Sequence, residues 1–437
     1  MNSLFDSQPT GNRIVLMRCF FERTLIFLAV AFAITSCGPA RGKSPGKKVV
    51  VTFWHAMGGP LGDVLEEMVK EFESVNPEIE VQLVSMANYS SLAQKLMGAV
   101  QVNSPPNLAQ MYESWTAQFY ALNKLIVVDS LIHSPAGLSP EEIADFYPAL
   151  VQNNTWDNRL VTLPFNKSMP VFFYNVELLK NAGYDKFPDR WEDLRQMLVR
   201  LTDRRAGRYG GAGIVNEGIF GTLLIQYGGA FLDEKTGEPV FNSSAGVRAA
   251  RFLNSLVNED SSVYYGAGYE PQNDFLAGKI ACIQSTSVSY AFLKPNLTFT
   301  LGVAPLPVDG KPAVIGYGTN IGIFRIGTPE QIEAAWKFVK WFVSPEQQAK
   351  WASKTGYVPV RRSALQNPVY QKMLKEVPGL EPALKQLDYL VSEPKTENWF
   401  SGRRLLGDAL EKMVRSRVDP QHALDEAAEA LKKEMKK

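Results

Sequence analysis

The chain has 437 residues, with 46 lysines and arginines against 45 aspartates and glutamates, a formal net charge of +1. So even a balance, without a long basic stripe, excludes the electrostatic footprint of a nucleic-acid binder. The length exceeds one ordinary core and suits two lobes. Three cysteines cannot build a disulfide framework, and aromatics at 11% are numerous enough both to fill cores and to stack on ligands.

In chain order, Arg18 and Arg23 precede an apolar run of ten residues, Leu25 to Ile34. A bilayer span takes roughly 20 residues, so this is a secretory signal rather than a membrane helix. The next residues, Ile34-Thr35-Ser36-Cys37, resemble the lipobox of bacterial lipoproteins, in which the chain is cut before the cysteine and its thiol takes a diacylglyceryl group. An ordinary signal with an incidental cysteine is the alternative. Met17 would open a signal of more usual length. Residues 1–36 are thus expected to be a lipoprotein-type signal peptide. Residues 37–48 are expected to be lipidated Cys37 and a flexible tether, GPARGKSPGKK, without an apolar side chain able to pack. The expected location is the outer face of the cell envelope, held to membrane by the lipid. Cys282, in KIACI, reads as a buried small hydrophobe.

The body opens on Val49 to His55, a β-branched run that predicts a buried parallel strand. Gly58-Gly59-Pro60 then starts an amphipathic helix ending near Val75. A second strand, IEVQLVSM, leads to a helix beginning around Tyr89, and NLAQMYES supplies a third strand. Alternating strands and helices predict a mostly parallel sheet covered on both faces, with ligands at the carboxyl ends of the strands. Trp54, His55, Tyr89 and Glu113 fall at or just past those ends. Ser139-Pro140-Glu141-Glu142, Thr328-Pro329-Glu330-Gln331 and Ser344-Pro345-Glu346-Gln347 predict capped helix starts, and Asp419-Pro420 another. From Thr328 to Phe342 the spacing of Ala335, Phe338, Val339 and Phe342 predicts a helix, with Trp336 and Trp341 in packing roles. Two crossings between lobes are expected, at Leu163 to Asn166 and at Thr300 to Pro305.

Motifs for catalysis are missing. His55, His133 and His422 form no cluster with metal-ligand spacing. There is no nucleophile elbow and no phosphate loop. GRYGGAG, Gly207 to Gly213, lacks the dinucleotide-binding spacing and reads as a turn entering a strand. Abundant carboxylates leave a glycosidase pair open. The favoured expectation is a binding protein without enzymatic activity or cofactor.

FWHAMGGPLG (Phe53 to Gly62), NYSSLAQ (Asn88 to Gln94), QMYES (Gln110 to Ser114), LPFNKSMPVFFYN (Leu163 to Asn175), RWEDL (Arg190 to Leu194), SPEQQAKWASKTGYVPV (Ser344 to Val360) and DPQHALD (Asp419 to Asp425) follow one another in a distinctive order. On these residues the body, from about Val51 to Leu431, resembles the family 1 extracellular solute-binding proteins. That family includes the maltodextrin and glycerol-phosphate receptors of ABC importers. The resemblance implies an α/β, two-lobe periplasmic-binding-protein fold of type II, each lobe a mostly parallel sheet flanked by helices, joined by a multi-strand hinge. Residues 49–163 and 304–343 would form the N-terminal lobe, and 164–303 and 344–437 the C-terminal lobe. It further implies a monomer that passes a small polar solute to the transmembrane subunits of an ABC permease.

In the glycerol-phosphate receptors of the family, ligand contacts match Tyr89, Glu113, Ser168, Tyr357 and Arg403. Arg403 would grip phosphate oxygens through its planar fork, although Arg404 leaves the register open by one. Thr286 aligns with a family serine contact, and Gly318 or Thr319 with a family glycine. Lys167 adds a cation beside Ser168. Trp54 and Trp191 are added as candidate stacking platforms. Glycerol-3-phosphate or a related glycerophosphodiester is the expected solute, with a sugar or oligosaccharide as the alternative.

Overall fold

The computed structural model describes residues 47–436. The signal segment, Cys37 and most of the tether lie outside the described residues.

Two five-membered strand orders account for the body. The first runs Ile79–Ser85, Val49–His55, Leu108–Met111, Tyr317–Phe324, Leu125–Ile126, with Leu163–Ser168 also paired to Tyr317–Phe324. The second runs Val263–Tyr264, Tyr209–Ala212, Ile280–Thr286, Pro170–Asn175, Leu301–Ala304. The chain passes from the first sheet to the second at buried Met169 and returns between Ala304 and Tyr317. The expected boundary at Leu163/Pro164 therefore falls inside a strand of the first sheet.

Both sheets are mixed rather than mostly parallel: the first has two parallel and three antiparallel pairings, the second two of each. Val49–His55 runs parallel to both of its neighbours, but the returning strand Tyr317–Phe324 is antiparallel to Leu108–Met111, Leu125–Ile126 and Leu163–Ser168. In the second sheet Ile280–Thr286 is parallel to Tyr209–Ala212 and antiparallel to Pro170–Asn175. The strands that break the rule are those that carry the chain between sheets. They enter from the other lobe instead of through a helical crossover, which is the connection that enforces parallel pairing.

The helix starts follow their chemistry with one exception. Ser139 and Thr328 form complete capping boxes with Glu142 and Gln331. Asp419 accepts from the backbone N–H groups of Gln421 and His422. Ser344 makes no side-chain cap, and Gln347 at the third position donates its side-chain amide to Glu71 (3.4 Å).

That contact ties helix Pro345–Thr355 to helix Pro60–Val75 of the first lobe, where Lys354 also pairs with Glu67 at 2.7 Å. Residues 344–437 are thus not all of the second lobe. Helices Trp399–Arg415 and Pro420–Met435 do pack there, against Glu217–Gln226 and Ser244–Asn258, and Leu380–Leu384 packs on strand Leu301–Ala304. A chain of rings explains the first attachment: Phe165 lies 4.8 Å from Phe342, Phe342 5.5 Å from Trp351, and Trp351 stacks at 5.5 Å on Tyr357. These large apolar faces, almost fully buried, stiffen the route from the core to the cleft.

Candidate functional site

Two adjoining chambers lie between the sheets. The larger, about 410 Å³, is lined by Tyr89, Ser168, Gly213, Asn216, Glu217, Thr286, Gly318, Tyr357 and others; Tyr112 and Arg403 also face it. The smaller, about 210 Å³, is lined by Glu113, Ser114, Glu393, Trp399 and Phe400, and shares Tyr89, Tyr112 and Arg403 with the first. A cavity of about 610 Å³ elsewhere, between Ile143 and Asn158, is roomier but mostly apolar. Its one cation, Lys395, is already spent on the carbonyls of Gln152 and Thr155. The convergence of polar groups favours the paired chambers as the binding cleft.

One wall is built on Asn166. Its amide nitrogen donates to the phenol oxygens of Tyr357 (2.8 Å) and Tyr89 (3.2 Å), and its carbonyl oxygen accepts from the Thr319 N–H (3.2 Å) and hydroxyl. Gln110 donates to Tyr89 as well, at 3.4 Å. Tyr89 is the first residue of a helix capped by Asn88, so the cap fixes the backbone that carries the ring. Burial raises the pKa of both phenols, which keeps them protonated hydrogen-bond donors at neutral pH.

The returning strand settles the glycine. Gly318 has φ +102°, and a Cβ there would sit 1.9 Å from the Asn166 carbonyl oxygen, so no side chain fits. Gly318 lines the cleft, whereas Thr319 is fully buried behind it and holds Asn166.

The opposite wall is charged. Arg403 Nη1 lies 3.1 Å from both oxygens of Glu393, and its guanidinium carbon sits 5.7 Å from the centre of the Tyr317 ring. Among the described residues its Nε and Nη2 make no hydrogen bond. Burial opposes its charge, yet Glu393, Tyr317 and Glu217 more than offset that, and its pKa is raised. Glu393 is raised too, by burial, with Arg403 and Trp399 pulling the other way. The neighbouring Arg404 points outward to Asp408 and Glu434, whereas Arg403 lines both chambers.

Three expected residues sit elsewhere. Trp191 is fully buried in the second lobe with its indole N–H on Gln226 Oε1 (2.9 Å). It begins an amphipathic helix and takes the inward face, so it is core. Trp54 does not line either chamber; Lys95 covers its ring at 4.8 Å. Lys167 points away from Ser168, as alternation along a strand requires. It is buried against Glu113 (3.1 Å) and Asn153 (2.9 Å), and desolvation lowers its pKa. Glu113 is consequently half-committed, also accepting from Asn320 Nδ2 at 3.1 Å.

Residues not anticipated include Tyr112, Asn216, Glu217, Tyr317 and Glu393. Asn216 is the cap of helix Glu217–Gln226, a signal present in VNEG but outweighed by the glycines before it. Glu393 lies in a segment with no regular pattern, and nothing local points to it. Among the described residues, no three His, Cys, Asp or Glu side chains are grouped to hold a metal, and no helix is long and apolar enough to cross a membrane.

Residues 67–377 match the family described as bacterial extracellular solute-binding protein, and the chain belongs to that family. Within it, the chain is 26% identical over 421 residues to the sn-glycerol-3-phosphate-binding periplasmic protein of Pectobacterium atrosepticum, covering 92% of this chain and 93% of that one. It is equally identical over 400 residues to the protein of that name from Escherichia coli K12, covering 87% and 91%. The fold is shared with UgpB of Mycobacterium tuberculosis in complex with glycerophosphocholine (TM-score 0.77, 22% identity, 87% of this chain and 97% of that one). It is shared as well with a Listeria monocytogenes ABC substrate-binding protein in complex with cycloalternan (0.79, 21%, 89% and 99%).

Proposed function

We propose that this chain is the extracytoplasmic receptor of an ABC importer and captures glycerol-3-phosphate or a related glycerophosphodiester. The observation that carries the reading is Arg403, a cation with two unused donor edges set in the wall common to both chambers. A guanidinium recognises phosphate oxygens in pairs. From the facing wall the Tyr89 and Tyr357 hydroxyls supply neutral donors, and Ser168 and Thr286 add short hydroxyls. With a phosphate at Arg403, one ester substituent would occupy each chamber. The glycerol-phosphate receptors among the relatives support this choice. Binding would draw the lobes together about the crossing strands and present the closed form to the permease. The receptor acts by capture alone, as a monomer, with no reaction and no cofactor. Its lobes divide near Met169 and between Ala304 and Tyr317.

A second reading has one specific support. Glu113, Glu217 and Glu393 are acceptors suited to sugar hydroxyls, beside the rings of Tyr89, Tyr112 and Trp399. Titration calorimetry with glycerol-3-phosphate, glycerophosphocholine and maltotriose separates the two. Saturable heat from a phosphate ester is expected; heat from the sugar alone would overturn the phosphate reading. Anchoring through Cys37 belongs to the same proposal and is supported by the apolar run before it. Cys37→Ser should move the protein from the membrane pellet to the soluble fraction, and unchanged pelleting would refute the anchor.

A further inference from the structure

Glu393 occupies a segment tied down from two directions. Before it, strand Leu390–Val391 pairs with Val314–Ile315, and the Ser392 hydroxyl accepts from Asn153 of the first lobe at 2.9 Å. After it, Lys395 donates to the Gln152 and Thr155 carbonyls. The carboxylate itself takes Arg403 on both oxygens and the Trp399 indole N–H at 2.9 Å on one. These contacts hold the carboxylate against the guanidinium.

The consequence is electrostatic. Among the described residues Arg403 is the one cation lining the two chambers, against the carboxylates of Glu113, Glu217 and Glu393, while Lys167 and Lys395 are tied down behind the wall. A phosphate monoester carries close to two negative charges above its second ionisation near pH ~6, whereas a diester carries one at any neutral pH. The second charge of the monoester would meet a guanidinium already shared with a carboxylate.

We propose that Glu393 is a specificity residue, which makes the cleft favour singly charged phosphodiesters over doubly charged phosphate monoesters. The inference rests on the phosphate-ester reading above and adds to it the charge of the ligand. A residue that only positioned Arg403 and Trp399 would, when changed, weaken every phosphate ester alike. A residue that sets the charge of the cleft changes the ratio between them.

The test is calorimetry at pH 8 on wild type, Glu393→Gln and Glu393→Asp, with glycerophosphoglycerol as the diester and glycerol-3-phosphate as the dianion. Wild type should bind the diester more tightly. Glu393→Gln should shift the ratio toward the monoester by about tenfold, the scale of one charge at a few ångströms in a partly screened site. Glu393→Asp, which keeps the charge, should keep the ratio whatever it does to affinity. Wild type preferring the dianion, or an unchanged ratio in Glu393→Gln, overturns the inference and leaves the phosphate reading standing. If Glu393→Gln does not fold, the wild-type preference and the Glu393→Asp ratio decide. If wild type binds neither ester, the inference falls, and the phosphate reading falls with it only if glycerophosphocholine is silent too.

Discussion

The two walls of the cleft are built on opposite principles. On the first-lobe side the wall around Asn166 is neutral and over-determined: that one amide holds two phenols and a threonine, and the ring of Tyr357 continues a stack that begins in the core. On the second-lobe side the wall is a partly buried ion pair, Arg403 with Glu393, flanked by Glu217. Neutral hydrogen bonds in a packed setting give shape at low electrostatic cost. An ion pair withdrawn from water in part adds little net stability, because desolvation offsets much of the attraction. A ligand satisfying only one wall would hold the lobes together poorly.

Breaking the charged wall should have the largest effect. Arg403→Ala removes the cation and leaves Glu393 and Glu217 facing an anionic ligand. Loss of one partner of a desolvated charge pair costs about 2–5 kcal/mol in binding, so affinity for a phosphate ester should drop by roughly two to three orders of magnitude. Arg403→Lys should recover little, because an ammonium cannot present a planar fork. Calorimetry on both variants checks this, with circular dichroism to show that the fold persists. Retention of affinity within about threefold of wild type would remove Arg403 from the site.

The neutral wall has one titratable group at its base. His55 is buried, its Nδ1 accepts from the Met57 N–H at 3.1 Å, and its Nε2 has no partner. Met57 in turn underlies Asn166 and Tyr357, with its sulfur 3.8 and 3.7 Å away. Burial lowers the His55 pKa from 6.5 to about 4. As the folded pKa lies below the unfolded one, the unfolded chain takes up a proton first. The stabilisation is therefore whole above pH 6.5 and declines as pH falls toward about 4. The size is up to about 3 kcal/mol. Urea denaturation across that range on wild type and His55→Gln should show a steeper acid loss in wild type. Parallel curves would show that the wall's base does not titrate.

How much of this was legible in the sequence follows the same division. Periodicity and capping residues gave the helix from Pro329 to Phe342 and the strand from Val49 to His55, because those signals are local. The resemblance placed Tyr89, Ser168, Thr286, Gly318, Tyr357 and Arg403, all of which line the cleft. Strand direction was misjudged where the chain changes lobes, since direction there is set by topology and not by residue type. Lys167 was misplaced for want of alternation: neighbours on a strand face opposite ways, and Ser168 took the cleft. Glu393 was invisible because its role comes from a partner ten residues away across an irregular segment.

The smallest effect is expected at Trp54, and it sharpens where the neutral wall ends. A tryptophan one residue before the end of a strand, at the carboxyl edge of a sheet, invites a stacking role. Yet neighbouring side chains on that strand alternate, and it is His55 that turns toward the interior while Trp54 meets helix Tyr89–Gln101 through Lys95. Trp54 is partly exposed and packs against a small core of the first lobe that includes Leu92, Leu96 and Trp115. Trp54→Ala should therefore cost some folding stability, including the roughly 0.5–1 kcal/mol of an exposed cation–π contact, and leave ligand affinity unchanged within about twofold. Paired calorimetry and denaturation on that one variant distinguish the cases. A loss of affinity larger than the loss of stability would extend the cleft past Tyr89 and make the ligand longer than two chambers can hold.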